Sequence, residues 1–196
     1  MRWILAPWLL IVVLATPVSP ARAYQKSLSP DDIKAALDYG KTRRGHDLTD
    51  SADPHFIRFP DFGFAILFTP WLQLAFIARD AATKYRDVGQ GEIDDTISKW
   101  TGKLQVYASL TDDHDDFWKN SHSVLIQGNT TIQPLKKQSS YSKVVSCSSS
   151  PCTVRADFLF VFEDSLLDSA QPAELVILIR QGYKELRAKA DLSAVR

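Results

Sequence analysis

The densest run of chemistry-bearing residues is Thr111-Asp112-Asp113-His114-Asp115-Asp116. Four carboxylates and one imidazole in so short a stretch could hold a cation. Calcium gathers many oxygen ligands, and a loop at the end of a sheet can supply them. His114 would instead favour a transition metal. The run lacks the turn glycine and closing glutamate of an EF-hand. Its first reading is a solvated acidic loop. If a metal is held, its ligands come from Asp112, Asp113, His114, Asp115 and Asp116, with calcium the expected ion. No other cofactor is expected.

The remaining reactive side chains form no catalytic pattern. His46, His55, His114 and His122 include no pair at the HExxH spacing. His114 and His122 flank one loop and could converge there. No serine lies in GxSxG, and no SxxK is joined by its partner motifs. Glu163, Asp164 and Asp168 follow a strong strand, where glycosidases place their acids, but that chemistry depends on spatial separation. Phe117 and Trp118 adjoin the acidic run. Exposed, they would form a patch for a partner protein or glycan; buried, they would plug the core. No catalytic residue is assigned.

Cys147 and Cys152 stand in Cys-Ser-Ser-Ser-Pro-Cys. That spacing is wrong for CxxC redox chemistry, and two cysteines alone make a poor zinc site. They are expected to form a disulfide across a hairpin turn, which requires an oxidising compartment. The N-terminus agrees. Arg2 precedes the apolar run Trp3 to Thr16, and Ala21-Arg22-Ala23 is an A-x-A cleavage signal. Residues 1–23 are therefore expected to be a signal peptide, and the mature chain to be periplasmic or secreted. No later stretch is long and apolar enough to span a bilayer. Losing Arg2 and Arg22 leaves 21 basic residues against 23 acidic ones. That balance does not favour nucleic acid.

The elements that must position these residues follow from periodicity. Ser29-Pro30-Asp31-Asp32 starts a helix expected to end near Gly40. Residues 41–54 read as a loop. Phe62 to Phe68 reads as a buried strand between Pro60 and Pro70. Thr69-Pro70 opens a second helix with apolar positions Trp71, Leu74, Ala75, Ala78, Ala82 and Tyr85, and with Gln73, Asp80 and Lys84 on its other side. Glu92 to Trp100 suggests a third. Strands are then expected at Lys103–Ala108, Ser123–Gln127, Thr130–Gln133 and Glu174–Arg180. Gln181-Gly182 turns the chain into a last strand from Tyr183 to Ala190. The stapled hairpin has Phe158 to Phe162 in its second arm. The expected fold is α+β: an antiparallel β-sandwich packed with one to three helices from the N-terminal half, and residues 24–196 forming one domain.

Three short signatures carry a resemblance. They are Ala36-Leu37-Asp38-Tyr39-Gly40-Lys41 after a capped helix start, Thr69-Pro70 opening a helix after an apolar strand, and the terminal Asp191-Leu192-Ser193. Together they resemble uncharacterised exported bacterial proteins with a helical N-terminal part and a β-sandwich. The resemblance implies compartment and architecture and no activity.

The functional expectation is a non-enzymatic binding or structural module of the cell envelope, with another envelope protein or a glycan as partner. A metal-dependent hydrolase or calcium-stabilised domain centred on 112–116 is the alternative. A carrier of small apolar ligands is the third reading. It requires a cavity between the Trp71–Tyr85 helix and the sheet, where packed core is expected instead.

Overall fold

The computed structural model describes residues 24–48, 53–141, 143–147, 151–179 and 184–195. The expected signal peptide, the serine-rich turn at 148–150 and the turn at Gln181-Gly182 lie outside them.

Three helices come from the first half of the chain. Helix α1 (Pro30–Thr42) opens with a capping box. The Ser29 hydroxyl accepts from the Asp32 amide at 3.2 Å, and the Asp32 carboxylate accepts from the Ser29 amide at 3.1 Å. Two of the three free donors at the helix start are thereby met, since Pro30 has no N–H. Helix α2 (Pro70–Thr83) is capped by the Thr69 hydroxyl, which accepts from the Leu72 amide at 3.1 Å. Helix α3 (Gln90–Trp100) follows after a short link. Among the described residues, no helix is long and apolar enough to cross a membrane.

Ten strands form two antiparallel sheets. The larger contains β1 (Phe56–Phe59), β2 (Gly63–Phe68), β3 (Lys103–Asp112) and β8 (Thr153–Glu163) in that order. Its far edge is shared by β6 (Lys136–Ser139) and β7 (Lys143–Ser146), both paired with β8. The smaller has the order β10 (Lys184–Ala190), β9 (Ala173–Ile179), β4 (His122–Gln127) and β5 (Thr130–Ile132). Leu67, Val106, Phe158 and Phe160 from the larger sheet meet Leu125, Leu175, Ile177 and Leu186 from the smaller in one buried cluster. That is the sandwich core. At one edge of β2, Gly63 adopts φ 126° against the Ser109 carbonyl, a position that excludes any Cβ.

A second apolar cluster joins the helices to the outer face of the larger sheet. It contains Ala36, Trp71, Leu72, Leu74 and Ala75, with Ile66 and Phe68 of β2 packed against it. Here the structure corrects three expectations. Gly40 does not end α1. It lies within the helix, where a Cβ would collide with the Ala75 carbonyl and crowd the Ala78 methyl. It is a packing glycine that lets α1 and α2 approach closely. Tyr85 is not on the buried face of α2. The helix stops at Thr83, Tyr85 turns to φ 56°, and its ring is 82% exposed. Residues 62–68 are not buried on both faces. Ala65 and Leu67 face the sandwich, while Phe64, Ile66 and Phe68 face outward and are half-buried. Two strands, β1 and β6, were not foreseen. Both are only four residues long, and β6 is a polar edge strand without an apolar alternation.

Replacing Gly40 by Ala forces the helices apart. Overpacking of this kind should destabilise the fold by about 1–3 kcal/mol, read as a shifted urea midpoint at unchanged slope. A neutral result would show that the helix pair has slack at this crossing.

Candidate functional site

The acidic run does not form one loop. The first of its carboxylates, Asp112, is the last residue of β3, with its side chain wholly buried. It accepts from the His114 amide at 3.1 Å and faces the Lys184 ammonium at 3.0 Å. That ammonium also lies 4.5 Å above the Phe62 ring. His114 Nδ1 stands 2.6 Å from Asp113 Oδ1 and 3.5 Å from Asp112 Oδ1. Hydrogen bonds from His114, then with Asp112, hold the Asp113 carboxyl down to about 2. Asp112, Asp113 and His114 bring one ligand atom each within 4.8 Å of one another. Asp115 and Asp116 are exposed and, like His122, lie outside that group. Lys184 already stands where a cation would balance Asp112. The buried carboxylate of the cluster is thus balanced from within the chain.

Cys147 and Cys152 are bonded, stapling the turn between β7 and β8 as their spacing predicts. Phe117 is fully buried and meets Phe158 edge-on, with ring centroids 5.9 Å apart. It is a core plug and is not available to a partner. Trp118 is half-buried against the core, with Tyr141 at its edge. The carboxylates after β8 serve local structure. Asp164 accepts from the buried Tyr24 hydroxyl at 3.0 Å, and Asp168 accepts from the Ala170 amide and the Gln171 side chain.

His55 is buried between strand and helix. Its ring nitrogen lies 2.7 Å from Asp53, its amide donates to the same carboxylate oxygen at 2.8 Å, and its ring stacks beside Trp71. Burial by itself would raise the Asp53 carboxyl. The two bonds from His55 and the charges of His55 and Arg43 outweigh that and hold it below the usual carboxylate range.

A larger concave feature lies elsewhere. An open cleft of about 680 Å³ separates α2 from the outer face of the larger sheet. Its floor is Phe56, Phe64, Ile66 and Phe68 with Gln105, Tyr107 and Leu159; its wall is Gln73, Phe76 and Arg79 of α2. Phe56 stacks on Phe64 at 5.2 Å, and Phe68 meets Phe76 at 5.2 Å. The packed core expected between this helix and the sheet is therefore absent over part of their facing surfaces. The reason is that α2 spends Trp71, Leu74, Ala75 and Ala78 largely on α1 and its surrounding cluster, so only Ile66 and Phe68 of β2 join it from the sheet. Gln73, assigned to solvent from the helical pattern, lines the cleft.

Gln105 is the polar exception in this apolar floor. It is 3% exposed, and its Nε2 meets no hydrogen-bond acceptor from the protein. Tyr107, two residues on, turns its hydroxyl to Asp157 at 3.0 Å. None of these cleft residues was singled out from the sequence. The available signal was the two-faced apolar character of Phe62–Phe68, which demands a cover on both sides.

Two outcomes test this electrostatic reading. Lys184→Met leaves Asp112 without its cation and should cost about 1–3 kcal/mol of stability in urea melts. Adding Asp112→Asn should recover much of that loss. The Asp53 carboxyl is lower in the folded than in the unfolded chain. Its contribution is therefore present above the usual carboxylate range and lost as pH falls through the lowered folded value. Stability measured from about pH 7 to about pH 3 should fall less steeply in Asp53→Asn than in the parent. An unchanged acid limb would contradict the pairing.

Comparison with known proteins finds no matching family model, no matching curated protein and no matching solved structure, so the functional argument stands on the geometry of this chain.

Proposed function

We propose that this protein is a non-enzymatic, extracytoplasmic module that binds a small amphipathic molecule in the cleft between α2 and the larger sheet. One observation carries the reading: an open cleft of about 680 Å³ between α2 and the larger sheet, floored by Phe56, Phe64, Ile66 and Phe68. The size and lining agree with ligand sites, which are concave, mostly apolar and punctuated by a few polar groups. Burial of a ligand's apolar body against Phe56, Phe64, Phe68 and Phe76 supplies affinity. The Cys147–Cys152 bond supports an oxidising compartment. So does the signal-like segment at residues 1–23, which would leave Tyr24 as the first residue of the mature chain.

The test is saturable binding of a neutral apolar dye, N-phenylnaphthylamine, followed by its fluorescence. Leu159→Trp projects into the cleft and should abolish binding without touching the sandwich core. Gln105→Leu should raise thermal stability by about 1 kcal/mol, because an unmet buried amide is removed. Dye binding that ignores Leu159→Trp would sink the proposal.

A further inference from the structure

The cleft has a charged end. Arg79, one turn beyond Phe76 on α2, lies with its guanidinium 4.7 Å above the Phe76 ring. It is half-buried, and its protein partner is the His46 carbonyl at a long 3.4 Å. Among the described residues no carboxylate stands within ion-pairing distance of it. The segment that follows α1 runs past this end and contributes Asp47 and Leu48 to the lining. The Tyr39 hydroxyl fastens the segment by donating to the Leu48 carbonyl at 3.1 Å. Asp47 is the one acidic residue among those lining the cleft, and it is exposed to water. Water screens Asp47 more strongly than it screens the half-buried Arg79. Arg79 is therefore the stronger charge at the mouth, beside an aromatic floor.

We infer that the ligand is an anionic amphiphile, a carboxylate joined to an apolar chain, with its head on Arg79 and its body along Phe76, Phe68 and Phe64. This rests on the cleft being a ligand site and adds the chemical class of the ligand. A guanidinium fits a carboxylate through paired N–H donors, and stacking on Phe76 holds the planar group in place. Partial burial strengthens that contact relative to one in bulk water. Gln105 lies beside Phe68 in the paired register.

The experiment is displacement of bound N-phenylnaphthylamine by laurate and by methyl laurate, which share a chain and differ in charge. Laurate should displace the dye at a concentration about tenfold lower or less, an advantage that shrinks as salt is raised. Arg79→Gln should remove the difference while leaving methyl laurate unchanged, and Arg79→Lys should retain part of it. A thermal melt of each variant checks that the fold is kept. Equal displacement by both compounds would overturn the anionic assignment and leave the cleft reading standing. Failure of both to displace a dye that binds would likewise overturn the chain carboxylate. Absence of dye binding altogether would overturn the cleft reading, and this inference with it.

Discussion

The pairing of β3 with β8 sets the register on which both surfaces of the larger sheet depend. Ten consecutive residues of β3, Lys103 to Asp112, lie opposite Glu163 to Val154. On one side Leu104, Val106, Ala108 and Leu110 meet Phe162, Phe160, Phe158 and Ala156, and all are buried in the sandwich. On the other, Gln105, Tyr107 and Ser109 meet Val161, Leu159 and Asp157. A slip of one residue would turn one strand over relative to the other. It would set Gln105 beside Phe160 or Phe162, so that either a polar side chain entered the core or the aromatic rings left it. The same ladder therefore fixes the hydrophobic centre of the molecule and the composition of the cleft floor.

The cleft exists because the helices pack more closely on each other than on the sheet. Gly40 removes a side chain at the crossing with Ala75 and Ala78, which draws α1 and α2 together. The apolar residues of α2 are largely consumed there. Its remaining contact with β2 is made at Ile66 and Phe68. The outer face of the sheet is apolar well beyond those two residues, through Phe64, Phe56 and Leu159. A face with more apolar surface than its cover can reach leaves either an exposed patch or a ligand site. The concave cleft that α2 makes over Phe56 and Phe64 favours the second.

Charge is distributed in keeping with this arrangement. The acidic turn closes on itself: Lys184 faces Asp112, and His114 bridges Asp112 and Asp113. Arg79 of α2 instead lines the cleft, stacked on Phe76. Acidic residues adjacent in sequence thus mark a structural junction. A single arginine of no recognisable motif marks the place where a ligand's charge would sit.

Much of the architecture was legible along the chain because it rests on local rules. The Ser29 capping box, the Thr69-Pro70 helix start, the alternation of Lys103–Ala108 and the spacing of Cys147 and Cys152 each need only neighbouring residues to be read. The α+β class follows from their order. What the chain alone could not decide was which face of each element meets which other element. Gly40 could end a helix or admit a neighbour. Phe117 could be a patch or a plug. Gln73 could face water or a cleft, and Gln105 could sit at a surface or in an apolar floor. Each choice depends on residues tens of positions away, such as Ala75 for Gly40 and Phe158 for Phe117. Local preference determined the helices and most of the strands, and long-range packing decided where they failed to meet, because a cavity is a property of two surfaces and is written in neither one.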